Sequence, residues 1–280
     1  MDWSLTALLI TLGWLAGMAI GMTSIGGGLI VVPGLILIGV SPSAAVSTGL
    51  FINFVTRLVA SYQYCRQKTV CFSLVGALAF GSIPLAIVTL IALRLFQLNF
   101  DTQIIESVIK QLVCGMAAFM SGMGLASELA FHWKKWRIKP REPQIISHSR
   151  LEDYQANKAK SCKICRALSP LVGAIAGAAV TASGIGSGGI IVAFLASLTP
   201  IEPKFVVGTA ILHGVLLTAV AVIGHIGIGS FEPLIATFVL TGAIPGVAIG
   251  GYLSLVVSSR LLKFALFIAV LAGSVRALLI

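Results

Sequence analysis

The stretch "SIGGGLIVVPG", residues 24–34, puts three consecutive glycines and a proline inside a continuous apolar segment. In a soluble protein it would read as a loop. Its surroundings argue otherwise: 58% of the 280 residues are hydrophobic and 10% charged, with a mean hydropathy of +1.03, against roughly 45–50% apolar residues in soluble domains. Windows of about 20 residues with few charges recur along the chain, long enough to cross a hydrocarbon core about 30 Å thick as helices. A membrane barrel would instead alternate in segments of about ten residues. An all-α polytopic membrane protein is therefore expected, and the glycines become a question of why a helix in lipid breaks.

Apolar stretches near 4–38, 44–64, 70–93 and 103–127 are followed by others near 168–198, 204–226, 232–256 and 260–280. This gives about eight transmembrane helices in two halves, 1–127 and 168–280, around a basic loop, 128–167. Residues 128–169 hold ten of the nineteen Lys and Arg, among them Lys134, Lys135, Arg137, Lys139 and Arg141. Retention of positive charge in the cytoplasm explains such a loop more simply than nucleic-acid binding. Eight spans then place the loop at Arg66 and Lys68 inside as well, Arg94, Lys204 and Arg260 outside, and both termini in the cytoplasm of a plasma (inner) membrane protein. The opening "MDWSLTALLITLGWLAGMAIGM" lacks a basic leader and reads as a retained first span.

The halves look duplicated. At an offset of 160, "SIGGG" at 24–28 faces "GIGSG" at 184–188, and "AAVSTGLFINF" at 44–54 faces "KFVVGTAILHG" at 204–214; Pro84 and Pro245 follow at 161. The first stretch of each half, 4–38 and 168–198, exceeds the roughly 20 residues a crossing needs. Each must tilt, break or fold back, and the glycines mark the natural break. Broken backbone at membrane depth is tolerated where protein buries it or a cavity adjoins it, so the clusters serve close helix packing or a site; their pairing favours a site.

The segments "SIGGGLIVVPGLI" and "AAVSTGL", repeated as "SGIGSGGIIVAFL" and "KFVVGTAIL", with "GHIGIGSFEPL" and "TGAIPGVAIGGYL" in the second half, resemble the sulfite exporter (TauE/SafE) family of membrane transporters. The likeness covers about residues 5–127 and 168–278. It implies a multi-span carrier of sulfite or small organosulfur anions across the plasma membrane.

An anion site in a membrane needs donors and positive potential. A half-helix N-terminus supplies both, with free N–H groups carrying roughly half a positive charge. Segments beginning near Leu29 and Ile190 would present such ends, which makes Ser24, Gly26, Gly27, Gly28, Gly186, Ser187 and Gly188 candidate substrate-binding residues. In the second span of each half, Asn53 and His213 fall at equivalent places, with Thr48 and Thr209 about one turn earlier. His213 has two readings, an anion donor or a core imidazole bonded to a carbonyl. Arg57, one turn beyond Asn53, either gives an oxyanion a bidentate partner or snorkels to headgroups.

No Asp or Glu lies in the middle of a span; Glu202, Glu232, Asp101 and Glu106 sit at span ends, leaving His213 and His225 as candidates for proton coupling. "CKIC" at 162–165 lacks a second pair, His148 is poorly spaced, and no metal or cofactor is called for. "FHWKKW" at 131–136 suits headgroup anchoring. The spans show no constellation that would make the chain an enzyme. The expected partners are a small anion and membrane lipids, with no nucleic acid; the alternatives to a carrier are an anion channel and a structural or signalling membrane protein.

Overall fold

The computed structural model describes residues 3–24, 27–135, 163–198, 202–225, 231–256, 267–268 and 270–276. Its elements are α1 (Trp3–Thr23), α2 (Gly27–Leu37), α3 (Pro42–Arg66), α4 (Phe72–Asn99), α5 (Thr102–Lys135), α6 (Lys163–Ser183), α7 (Ser187–Leu198), α8 (Pro203–His225) and α9 (Pro233–Val256). Residues 267–268 and 270–276 are also helical, and no strand occurs among the described residues. Six helices, α1, α3, α4, α5, α8 and α9, are long and apolar enough to span a membrane, whereas α2, α7 and the apolar part of α6 are shorter. Helices satisfy every backbone group internally, which lipid demands. Large apolar side chains such as Phe80, Leu98 and Ile223 stay exposed, as a lipid-facing surface requires.

Both long first stretches are broken at the glycines. Ser24 and Gly184 have φ of 61° and 71°, left-handed values that end α1 and α6. The chain then returns. Gly34 of α2 packs against the Leu12 side chain of α1, two residues that a straight helix would hold about 33 Å apart at 1.5 Å per residue. Thus α2 is a half-length return beside α1, and α3 runs the same way as α1.

Neighbouring pairs fix every helix direction. Gly13, Gly17 and Gly21 of α1 face Val239, Ala243 and Val247 of α9, so these two are parallel. Gly173 and Gly177 of α6 face Leu78 and Ser82 of α4, again parallel. Tyr64 against Gly208 and Arg57 against Gly214 make α3 and α8 antiparallel. Helices α1, α3 and α9 therefore run one way and α4, α6 and α8 the other. Each helix of the first half opposes its counterpart in the second, so the repeats are inverted.

This corrects the expected sidedness. The return of α2 adds a pass, so α1 starts on the face opposite the one where α5 ends and α6 begins. The start of α1 therefore does not share a side with the end of α5 and the start of α6, and the described residues 267–268 and 270–276 run towards the face where α1 starts, from Gly124 of α5 past Leu37 of α2. Lys204, at the start of α8, joins Arg66 and Lys68 on the face where α5 ends and α6 begins, contrary to its expected position opposite them; Arg94 stays on the other face. Arg260 and most of the loop lie outside the described residues.

The halves also exchange a helix. The most extensive packing is α1 on α9 and α4 on α6. One bundle comprises α1, α2, α3 and α9, the other α4, α6, α7 and α8, and they meet chiefly where α3 crosses α8, with α5 touching both. Glycine makes the exchange possible. A side chain at Gly13, Gly17 or Gly21 would strike the α9 backbone, and one at Gly242, Gly246 or Gly250 would strike the α1 backbone at Ile10, Trp14 or Met18. Two glycine ladders at four-residue spacing thus press helix backbone on backbone.

Candidate functional site

The two breaks lie against each other. A side chain at Gly28 would collide with the Gly184 carbonyl, and one at Gly188 with the Ser24 carbonyl. Both pairs are related by the offset of 160, so the pseudo-twofold axis passes between the breaks. The N-termini of α2 and α7 and the C-termini of α1 and α6 meet here, four half-helix ends in the protein interior.

Helix α3 supplies the side chains. Asn53 Nδ2 donates to the Gly184 carbonyl at 3.3 Å and Arg57 Nη2 to the Ser24 carbonyl at 3.3 Å. They lie four residues apart, about 40° around the helix, and so share a face. Each caps a carbonyl of a broken helix that has no partner in its own next turn. Arg57 is only 4% exposed and lies over Gly214 of α8, so it does not snorkel. Its Nε and Nη1 are left without partners, as is Asn53 Oδ1. The only ion pair among the described residues is Lys204–Glu202, at the surface. Arg57 is therefore a buried cation with spare donors and no counter-ion.

These groups line a cavity of about 350 Å³, counted to its open mouth, with Ser24, Gly28, Gly184, Gly186 and Gly188. Gly27 lies under Asn53 Oδ1. Gly26 lies outside the described residues, and so does the side chain of Ser187, whose backbone starts α7. Six residues beyond the expected ones line the cavity, among them Leu29 of α2 and Val180 of α6. Gly184 was legible as the mate of Ser24; Gly189 adjoins a marked cluster; Thr218 of α8 and Met120 of α5 carried no signal in the pattern.

Three expected residues are elsewhere. Thr48 Oγ1 accepts the Glu232 N–H at 3.1 Å, and Thr209 Oγ1 accepts the Cys71 N–H at 3.0 Å. Both donors and both acceptors are related by 161, so each threonine ties the start of the exchanged helix into its new bundle. Five residues separate Thr48 from Asn53, about 140° around α3, which turns the threonine towards α9. His213 bonds through Nε2 to Ser82 Oγ at 2.9 Å and is fully buried against α4, outside the cavity lining. The paired threonines fix the register of α3 on α8 at 161. The mate of Asn53 is accordingly Gly214, not His213, because the chain between the glycine break and the threonine is one residue longer in the second half.

A second cavity, about 460 Å³ to its mouth, is lined by Ser43, Ser47, Phe96, Gln97, Ala182 and His225 among mostly apolar neighbours. It brings no cation. Cys65, Cys71 and Cys114 are free thiols, and Cys162 lies outside the described residues.

Comparison with known proteins matches this chain to membrane transporters. The family model described as Sulfite exporter TauE/SafE matches residues 9–277. The "Probable membrane transporter protein YjnA" of Bacillus subtilis (strain 168) is 32% identical over 271 residues, covering 96% of this chain and 98% of the relative. No solved structure gives a significant match. A multi-pass helical protein with two inverted, glycine-broken repeats, matched by the family model over almost its whole length, is a membrane transporter, and the chain belongs to the TauE/SafE sulfite exporter family.

Proposed function

We propose that this transporter carries small sulfur-containing oxyanions, such as sulfite or organosulfonates, out of the cytoplasm across the plasma membrane, by alternating access around the cavity at Arg57. The observation that carries this reading is Arg57 itself. An uncompensated buried charge costs several kcal/mol, and an oxyanion in the cavity supplies the missing counter-charge while accepting from the free Nε–H and Nη1–H. The N-terminal amides of α2 and α7 add positive potential from two sides. Family description supports sulfur anions as cargo and export as direction. Retention of positive charge inside supports a cytoplasmic position for the face of Arg66, Lys68 and Lys204, with α1 beginning outside. The two exchanged bundles, joined chiefly at α3 and α8, are the natural moving bodies.

Purified protein in liposomes, loaded with unlabelled sulfite and given labelled sulfite outside, should show saturable, exchange-stimulated uptake, lost in Arg57→Ala and strongly reduced in Asn53→Ala. Uptake that neither saturates nor responds to internal sulfite would mean a channel. Full activity in both variants would remove the site.

A further inference from the structure

The last turn of α6 separates the two cavities. Val180 and Gly184 line the anion cavity, whereas Ala182 lines the second. Between them, the Thr181 carbonyl bonds to His225 Nε2 at 2.9 Å. A carbonyl only accepts, so Nε2 carries the hydrogen and Nδ1 holds the lone pair that can take a proton. His225 is 7% exposed and lines the second cavity, whose other polar residues, Ser43 and Ser47 in the first turns of α3 and Gln97 near the end of α4, lie towards the face where α1 begins.

The counterpart in the first repeat is a tyrosine. Tyr64 Oη donates to the Gly21 carbonyl at 2.8 Å, and Gly21 and Thr181 are related by 160, Tyr64 and His225 by 161. One contact at the base of each broken helix thus uses a phenol in one half and an imidazole in the other. A carbonyl cap needs only a donor, so the imidazole adds something the cap does not require. His213 is a poorer candidate, since it is closed in against Ser82 and lines neither cavity.

We infer that His225 is a proton-binding residue coupled to the anion cavity: a proton reaching Nδ1 from the second cavity favours anion occupancy at Arg57 through the shared turn of α6. No bond other than N–H is made, and the proton returns to water on release. The cation at the C-terminal turn of α6 strengthens the bond to the Thr181 carbonyl, and its charge adds to the potential holding the anion on the other side of that turn. Around the second cavity, α4 contributes Arg94, which is exposed, and α5 contributes Glu106 and Lys110; none of them lines it. Glu106 is engaged by the hydroxyl and N–H of Ser43. Helices α3 and α6 bring no charged side chain to the cavity lining.

This inference rests on the anion-transport reading. Its test uses methanesulfonate, a monoanion throughout the accessible pH range, so that any pH effect belongs to the protein. Binding to the purified full chain should tighten about fivefold as pH falls below neutrality, a coupling at the lower end of those between linked sites. His225→Tyr, which copies Tyr64, and His225→Gln, which keeps an N–H donor, should bind methanesulfonate with no such dependence. An equal pH dependence in the wild type and both variants overturns the inference, as does a flat wild-type profile; either leaves anion binding standing. Absence of binding at every pH overturns the anion reading and this one together.

Discussion

Replacing Arg57 by methionine should make the empty protein more stable and blind to anions. The side chain is 4% exposed and makes one hydrogen bond, to the Ser24 carbonyl. Losing a charged hydrogen bond costs about 1.5–3 kcal/mol. Against this, the desolvation penalty of an unpaired buried ion is several kcal/mol, and methionine fills a comparable length with an adaptable apolar chain. The balance favours the variant by about 2 kcal/mol, or roughly 5 °C in melting temperature at 2–4 °C per kcal/mol. Anion reverses the order: at a hundredfold excess over its dissociation constant, a ligand stabilises the wild type by about 2.7 kcal/mol and the variant not at all. Thermal unfolding in detergent, with and without sulfite, reads all four states. A variant that melts lower than the wild type without anion would show that Arg57 is a structural cap already satisfied in its site. A variant that still gains stability from sulfite would place the anion elsewhere.

Other consequences follow from packing. Gly17→Val should destabilise the fold by about 1–3 kcal/mol or prevent insertion, because its side chain meets the Ala243 backbone, with the Cα at 2.9 Å from a Cβ; Gly115→Ala, where a Cβ meets nothing within 4 Å, should be neutral or stabilise by about 0.5–1 kcal/mol, both read from unfolding in detergent. Thr209→Val should cost about 1–2 kcal/mol and Thr48→Val less, since the Cys71 N–H released by the first is buried while Glu232 is exposed to water; equal losses would argue against water rescue. Joining Ala60 of α3 to Ile211 of α8 through introduced cysteines and a short thiol linker should stop transport, whereas joining Ile20 of α1 to Val247 of α9, in the same core cluster, should leave it largely intact. Arrest by the second linker alone would mean that the repeats, rather than the exchanged bundles, move.

What the sequence revealed depended on whether the signal was local. The breaks at 24–28 and 184–188 were legible because three glycines in an apolar run have few other uses and because the run occurs twice. The direction after the break was not, since excess length fits a tilted, broken or returning helix equally well; the Gly34–Leu12 contact decides it, and the side on which α1 starts changed with it. Asn53 and Arg57 were legible through their four-residue spacing. Thr48 and Thr209 share the polarity of a site but not its face, and a one-residue difference in spacing slid His213 into a false match with Asn53. The ladders Gly13, Gly17, Gly21 and Gly242, Gly246, Gly250 announce a close helix contact, yet nothing in either names its partner, so the helix exchange stayed hidden.

Duplication accounts for the scaffold, and departures from it account for the chemistry. An ideal inverted repeat would place identical groups on both sides of the axis between the breaks. Two arginines there would face each other across one small cavity, and their repulsion in a poorly solvated interior would cost more than a single anion returns. In this chain the residue 161 positions beyond Arg57 is Thr218, and it lines the same cavity. One side of the axis thus carries a cation and the other a neutral side chain, whose hydroxyl bonds back to the Gly214 carbonyl; this fits a single anion of low charge. The same logic separates Ser24 from Gly184 and Tyr64 from His225: symmetry brings the helix ends together, and its local failure lets one side hold charge while the other responds to it.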